Sequence, residues 1–303
     1  MKYENRLPCG KPVIFRGAAT ALITPFRDGT PDTSALRDLI ERQIDGGISA
    51  LVVCGTTGEA PTLTHDEMIT LISHASDIAG GRVPVIAGVG SNDTAKSCAL
   101  AIESSYAGAD AVMAVTPYYN KTTEDGLTAH FYAIADASPL PVIVYNVPPR
   151  TSVPITLRVY ERLAAHDNIV AVKEASGDVA LAASLLRDFG DRLAVYSGCD
   201  EITLPLLSLG GSGVISVVSN LLPGEVETMC RDFFRGDLGG ARAMQFYLLP
   251  LIGALFARPN PIPVKAACAC LGYCTPELRL PLSPLDDVSV LGALLKSYGL
   301  SPV

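Results

Sequence analysis

Short apolar runs recur along the chain, each bounded by Gly, Pro or Asp, and they are continuous instead of alternating with polar residues. They fall at Ala18–Ile23, Ala50–Cys54, Val85–Gly88, Ala111–Val115, Val142–Asn146, Val170–Lys173, Ala194–Ser197 and Gly213–Ser216. Continuous runs of this length suit strands buried on both faces, as in a parallel sheet covered by helices. The intervals carry helical periodicity. In Ser34–Asp45 the residues Leu36, Leu39, Ile40 and Ile44 share one face, and Gly46-Gly47 ends the run. Thr64 and Glu67 form a capping box ahead of Met68, Ile69, Leu71 and Ile72. Asp178 opens a run through Leu181, Leu185, Leu186 and Phe189 that Gly190 stops, and Pro223 starts another through Val226, Met229, Cys230 and Phe233.

Eight strands, each followed by a helix, predict an α/β fold of the (β/α)8 TIM barrel type. A doubly wound sheet is the competitor, but Gly88-Val89-Gly90 is the nearest approach to a dinucleotide fingerprint and lacks the third glycine. Gly210-Gly211-Ser212-Gly213 reads as a turn into the last strand, with a phosphate cradle as the other reading. After about residue 236 the strand signals stop and helical patterns run to the end. The expected division is an extension over 1–16, a catalytic barrel over 17–236 and a C-terminal helical appendage over 237–303.

Composition removes several classes of function. Of 303 residues, 49 % are hydrophobic and 18 % charged, which fits a large buried core. The longest apolar stretch, Phe246 to Ala257, contains Pro250 and at about twelve residues is too short to span a bilayer. Met1 to Lys11 has no apolar segment of signal-peptide type, so the expected location is cytoplasmic. Net charge is −8 with scattered basic residues, which argues against a nucleic-acid binder. The eight cysteines do not read as a disulfide framework. Cys268, Cys270 and Cys274 cluster without the paired spacing of a zinc site, so no metal is expected.

In a barrel the reactive groups sit at the C-terminal ends of strands. Lys173 ends an apolar strand, and burying its amine would favour the neutral, nucleophilic form. The bland alternative is a rim ion pair with Glu174. Tyr145 ends the neighbouring strand, where its phenol either moves protons for Lys173 or simply caps the core. Thr56 and Thr57 lie in the glycine-flanked turn Gly55–Glu59, which suits a small carboxylate or any tight turn. Arg150, behind Pro148 and Pro149, offers a fork for a second carboxylate or a rim salt bridge. Glu59 reads as an anchor for its loop. His65, His74, His130 and His166 lie away from strand ends, against a histidine-based triad.

Five ordered motifs then carry a resemblance. Gly55-Thr56-Thr57-Gly58-Glu59, Thr116-Pro117-Tyr118-Tyr119-Asn120, Tyr145-Asn146-Val147-Pro148-Pro149-Arg150-Thr151, Val172-Lys173-Glu174 and Asn260-Pro261-Ile262-Pro263-Val264-Lys265 resemble those of the dihydrodipicolinate synthase family, within the class I pyruvate aldolases that include N-acetylneuraminate lyase. The resemblance runs from about Gly17 to Leu282. It implies a lyase in which Lys173 forms a Schiff base with pyruvate while Tyr145, Thr56 and Tyr119 relay protons, Tyr119 entering from a neighbouring subunit. Thr57 would hold the pyruvate carboxylate with help from Ile215 and Gly198, and Arg150 the carboxylate of L-aspartate 4-semialdehyde. The product would be 4-hydroxy-tetrahydrodipicolinate, made in lysine (diaminopimelate) biosynthesis by a homotetramer, a dimer of dimers, with no cofactor. One rival is a sibling aldolase or lyase for sialic acid, 2-keto-3-deoxy sugar acids or 4-hydroxy-2-oxoglutarate. Another is a barrel without catalysis that serves as a scaffold.

The resemblance also implies where this chain departs from its relatives. Feedback-inhibited members bind lysine near the positions of Ala60, His65, Met68, Asn92, Lys96 and Tyr118. Here Met68 replaces a histidine, and Lys96 replaces an acid that would face the ligand's ammonium group with opposite charge. Like charges repel. Inhibition by lysine is therefore expected to be weak or absent, and micromolar inhibition in a dose series would refute this.

Overall fold

The computed structural model describes residues 5–302. Eight parallel strands close into a barrel: β1 (Gly17–Ala21), β2 (Ala50–Val53), β3 (Val85–Gly88), β4 (Ala111–Val115), β5 (Val142–Asn146), β6 (Ile169–Glu174), β7 (Ala194–Ser197) and β8 (Gly213–Ser216). They neighbour one another in sequence order, and β8 returns to pair with β1. Helices α1 (Thr33–Asp45), α2 (His65–Ala79), α3 (Thr94–Tyr106), α4 (Glu124–Ala137), α5 (Leu157–Ala165), α6 (Val179–Phe189), α7 (Thr203–Ser208) and α8 (Pro223–Phe234) follow the strands in turn. Three more helices come after the barrel: α9 (Leu238–Leu255), α10 (Ile262–Cys270) and α11 (Ser289–Ser297).

Alternation along each strand divides the core in two. Ala50, Val52, Ile86, Met113, Ile143, Ala171, Tyr196 and Ile215 pack together inside the barrel. Leu51, Val53, Val85, Val112, Val144, Val172 and Val195 face the helices. Helix starts are capped by side chains, at Thr64 and Asp178 as the sequence predicts and also at Asp32. The Asp32 side chain accepts from the Ser34 and Ala35 amides, Thr64 and Glu67 form the reciprocal box, and Asp178 caps α6 through Ala180 and Leu181.

Several boundaries differ from the sequence reading. Strand β1 spans Gly17–Ala21, and the Ile23 amide bonds to Asn220 Oδ1 at 3.2 Å instead of to a neighbouring strand. Strand β2 stops at Val53 because Cys54 turns to φ +55°, outside the extended range. Strand β6 begins at Ile169 and runs one residue past Lys173. The helical pattern after the barrel is interrupted between Cys270 and Ser289, where Pro276, Pro281 and Pro284 prevent a helix. Gly210–Gly213 forms the turn into β8.

Residues 5–16 close the N-terminal end of the barrel. The Phe15 ring stacks on Tyr196 at 4.1 Å, and the Tyr196 hydroxyl donates to the Phe15 carbonyl at 2.9 Å. Lys11 Nζ donates to the carbonyls of Ala164, His166 and Ile169 at 2.8, 2.8 and 3.0 Å.

The opposite end is tied down by charge. Lys265, fully buried on α10, donates to the buried carboxylate of Glu59, which also accepts from the Arg279 amide at 3.0 Å. The Lys265 ammonium and the Arg279 guanidinium lie 4.2 and 4.6 Å from the Phe26 ring centroid. Arg279 also grips Glu67 at the start of α2 at 2.7 Å. The segment after the barrel is thus locked to the loop after β2, and Glu59 is the anchor its position suggested. Removing one partner of such a pair strands the other charge in the interior. Lys265→Met is expected to lower unfolding free energy in urea by about 3–5 kcal/mol, with part regained in Lys265→Met/Glu59→Leu. A loss below about 1 kcal/mol, the range of an exposed pair, would count against this role.

Candidate active site

The alternation that fills the barrel also aims its chemistry. Ala171 points inward and Val172 outward, so Lys173 points inward again at the C-terminal end of β6. Tyr145 takes the same position on β5 and is paired in register with Lys173. The Lys173 amine sits 4.4 Å from the centroid of the Tyr145 ring, and both side chains are buried.

Burial without a counter-charge sets the state of the amine. Lys173 is 5 % exposed, and among the described residues no carboxylate lies within ion-pair distance of it. The rim pair with Glu174 does not form. Glu174 turns to the other face of β6, where Asn146 Nδ2, the Tyr160 hydroxyl and the Ser176 amide donate to it at 2.8, 2.9 and 2.7 Å. Burial pulls Lys173 down to about 8, against the weaker pull of Asp200 and Cys199, with Arg150 acting in the same direction as burial. Burial likewise raises the Tyr145 phenol to about 12, and Thr56 hydrogen-bonds to its side chain. The Tyr145 phenol is therefore neutral at physiological pH, with the Thr56 side chain as its hydrogen-bond partner.

Gly198 leaves room for the lysine stem. A Cβ there would lie 2.6 Å from Ala175 Cβ and 3.0 Å from Lys173 Cε, so only glycine lets β7 pass this close. Ile215 is buried among the inward residues of β8. Thr57 is 3 % exposed, and its Oγ1 accepts from Asn260 Nδ2 at 2.9 Å. Arg150 rides on a one-turn helix, Pro148–Thr151, started by proline, and its Nη2 donates to the Asn260 carbonyl at 2.9 Å. Tyr119 stands apart. It is 91 % exposed with φ +69°, and its ring does not join the other groups within this chain.

Two neighbours of the lysine escaped the sequence reading. Asp200 is buried, and its Oδ2 accepts from the Val217 and Val218 amides at 2.9 and 3.1 Å, holding the turn after β8. Burial pushes its carboxyl up. Cys199, partly buried, precedes it. Both lie just beyond the end of β7, after Gly198, and that placement near a strand's C-terminal end was the available signal. His65 pairs with Glu103 at 2.8 Å and His166 with Asp136 at 3.0 Å, away from this cluster. Among the described residues no three His, Cys, Asp or Glu side chains come together as a metal site.

Comparison with known proteins gives one consistent picture. The model of the dihydrodipicolinate synthetase family matches residues 14–292. A Pelobacter propionicus protein named 4-hydroxy-tetrahydrodipicolinate synthase is 47 % identical over 289 residues, covering 95 % of this chain and 100 % of that protein. One of the same name from Geobacter sulfurreducens is 46 % identical over 289 residues, with the same coverage. The crystal structure of dihydrodipicolinate synthase from Aquifex aeolicus matches with a TM-score of 0.93 at 42 % identity, covering 95 % of this chain and 99 % of that one. That of the Acinetobacter baumannii enzyme complexed with pyruvate has a TM-score of 0.93 at 40 % identity, covering 95 % and 100 %.

The amine's environment predicts a measurable pH dependence. A lysine in water becomes neutral only near pH 10.4 or so, whereas Lys173 does so near about 8. Trapping of a small 2-oxo acid on the protein by borohydride should therefore rise with pH through a midpoint near that value. A midpoint above about 10 would mean an ordinary solvated amine.

Proposed function

The chain belongs to the dihydrodipicolinate synthetase family, and from that premise we propose that it condenses pyruvate with L-aspartate 4-semialdehyde to give 4-hydroxy-tetrahydrodipicolinate in lysine (diaminopimelate) biosynthesis. The observation that carries the reading is the buried Lys173 amine, set against Tyr145 with no carboxylate in ion-pair distance among the described residues.

The neutral amine attacks the carbonyl carbon of pyruvate, and the carbinolamine loses water to form an imine. Tyr145 gives and takes the protons of that step through Thr56. The protonated imine draws electrons from the methyl group, which loses a proton and becomes a nucleophilic enamine. The enamine carbon attacks the aldehyde of the semialdehyde, whose oxygen takes a proton and remains as the 4-hydroxyl. The acceptor's amine then displaces Lys173 from the imine carbon and closes the ring, with one water lost overall. Thr57, the backbone at Ile215 and Gly198 hold the pyruvate carboxylate, and Arg150 that of the acceptor. The protonated imine serves as electron sink, so the chemistry calls for no cofactor.

The exposed, left-handed Tyr119 suits a residue that completes a neighbouring subunit's relay, in a homotetramer built as a dimer of dimers. Residues 17–236 form the catalytic barrel on this reading, with 237–303 as the helical region that braces its mouth. Among the described residues no helix is long and apolar enough to cross a membrane, consistent with the cytoplasmic site proposed for the enzyme.

Arg150 separates this reading from a sibling aldolase, because a guanidinium at the rim of the site matches a carboxylate on the acceptor. Pyruvate consumption should depend on the semialdehyde and vanish in Lys173→Ala. In Arg150→Ala, KM for the semialdehyde should rise about 100-fold, the scale of one lost charge-assisted pair, with pyruvate binding little changed. Turnover of hydroxylated aldehydes instead, indifferent to Arg150→Ala, would place the chain with the sugar-acid lyases.

A further inference from the structure

Asn260 has no assigned part in the chemistry, yet it touches both groups read as carboxylate holders. Its side-chain Nδ2 donates to Thr57 Oγ1 at 2.9 Å, and its main-chain carbonyl accepts from Arg150 Nη2 at 2.9 Å. It is 6 % exposed, and its Oδ1 is buried without a partner among the described residues. Thr57 is therefore the one protein group that this amide serves among the described residues. A purely structural asparagine would be expected to have both ends satisfied.

The direction of the bond matters. A threonine hydroxyl has one proton, and when its oxygen already accepts, that proton is left to donate elsewhere. Asn260 thus presents Thr57 to the site as a donor, the role that binding a carboxylate demands. Five residues on, Lys265 grips Glu59, two residues beyond Thr57, so the loop and the segment 260–265 are joined at both ends. That clamp fixes where Asn260 sits.

We propose that Asn260 is a positioning residue that sets the Thr57 hydroxyl as a donor and fixes its distance from Arg150, so that the sites for the two substrate carboxylates form one rigid unit. This rests on the pyruvate reading given above.

The test measures the pyruvate concentration that gives half-maximal borohydride trapping on Lys173, in the full-length protein, for Asn260→Ala, Thr57→Val and the double variant. Asn260→Ala should raise that concentration about tenfold, the worth of roughly one hydrogen bond, with the trapped yield at saturation unchanged. The double variant should match Thr57→Val, because without the hydroxyl there is nothing for Asn260 to orient. Semialdehyde KM should also rise several-fold in Asn260→Ala. Independent, multiplicative effects in the double variant, or an unchanged half-saturation in Asn260→Ala, would overturn the proposal. Asn260→Asp, of the same shape, keeps the test sharp if the alanine variant folds poorly. It can only accept from Thr57, so it should bind pyruvate worse than Asn260→Ala does, and equal or better binding would also overturn the proposal. Absence of any trapped pyruvate in the unsubstituted protein would instead remove the pyruvate reading itself.

Discussion

Two lysines are buried at the same mouth of the barrel, and the protein treats them in opposite ways. Lys265 is given a carboxylate, Glu59, and an aromatic face, Phe26; burial lowers its affinity for a proton and Glu59 opposes that. Lys173 is given an aromatic neighbour, Tyr145, and no carboxylate among the described residues. Taking an ammonium out of water costs several kcal/mol or more unless the charge is matched. The paired lysine therefore holds structure together, and the unpaired one gives up its proton at a lower pH. The rest of the mouth follows from that difference. The paired lysine fixes the loop that carries Thr56 and Thr57, and the unpaired one is the nucleophile of the proposed reaction.

The barrel makes this contrast possible because its strands decide orientation residue by residue. On β6, Lys173 and Glu174 are adjacent, yet alternation sends one inward and the other to the helices, where Asn146, Tyr160 and Ser176 saturate it. An ion pair between sequence neighbours is excluded by the geometry of an extended chain. The same alternation brings Tyr145 beside Lys173 from β5, and Gly198 lets β7 pass against the lysine stem. Position in the sheet, more than residue type, lowers the affinity of this lysine for a proton.

Much of the fold was legible because its signals are local. Five of the eight strands have the boundaries their apolar runs suggest, and the caps at Thr64 and Asp178 are where side-chain chemistry places them. The misses arise where a distant residue takes a backbone group, as Asn220 takes the Ile23 amide, or where the backbone turns left-handed, as at Cys54. At the site, strand ends pointed to Lys173, Tyr145, Thr57 and Arg150. They could not reveal that Asp200 holds the turn after β8, or that Asn260 spans Thr57 and Arg150, because those contacts join segments tens to hundreds of residues apart. The part given to Tyr119 rests on the resemblance, since within one chain it faces outward.

Charge at the mouth is arranged so that the substrates complete it. Burial lowers the affinity of Lys173 for a proton, Asp200 and Cys199 oppose it, and Arg150 adds a smaller contribution in the direction of burial. The neutral amine that can attack a carbonyl is thus reached at a lower pH than in a lysine exposed to water. In the proposed reaction each substrate brings a carboxylate, and one of them settles on Arg150. Their negative charge offsets the guanidinium at the stage when the nitrogen must become a cationic imine. In a site this sheltered from water such an exchange of charge is felt strongly. The arginine that weakly disfavours the ammonium would thus have its own charge offset at the stage when the electron sink is needed.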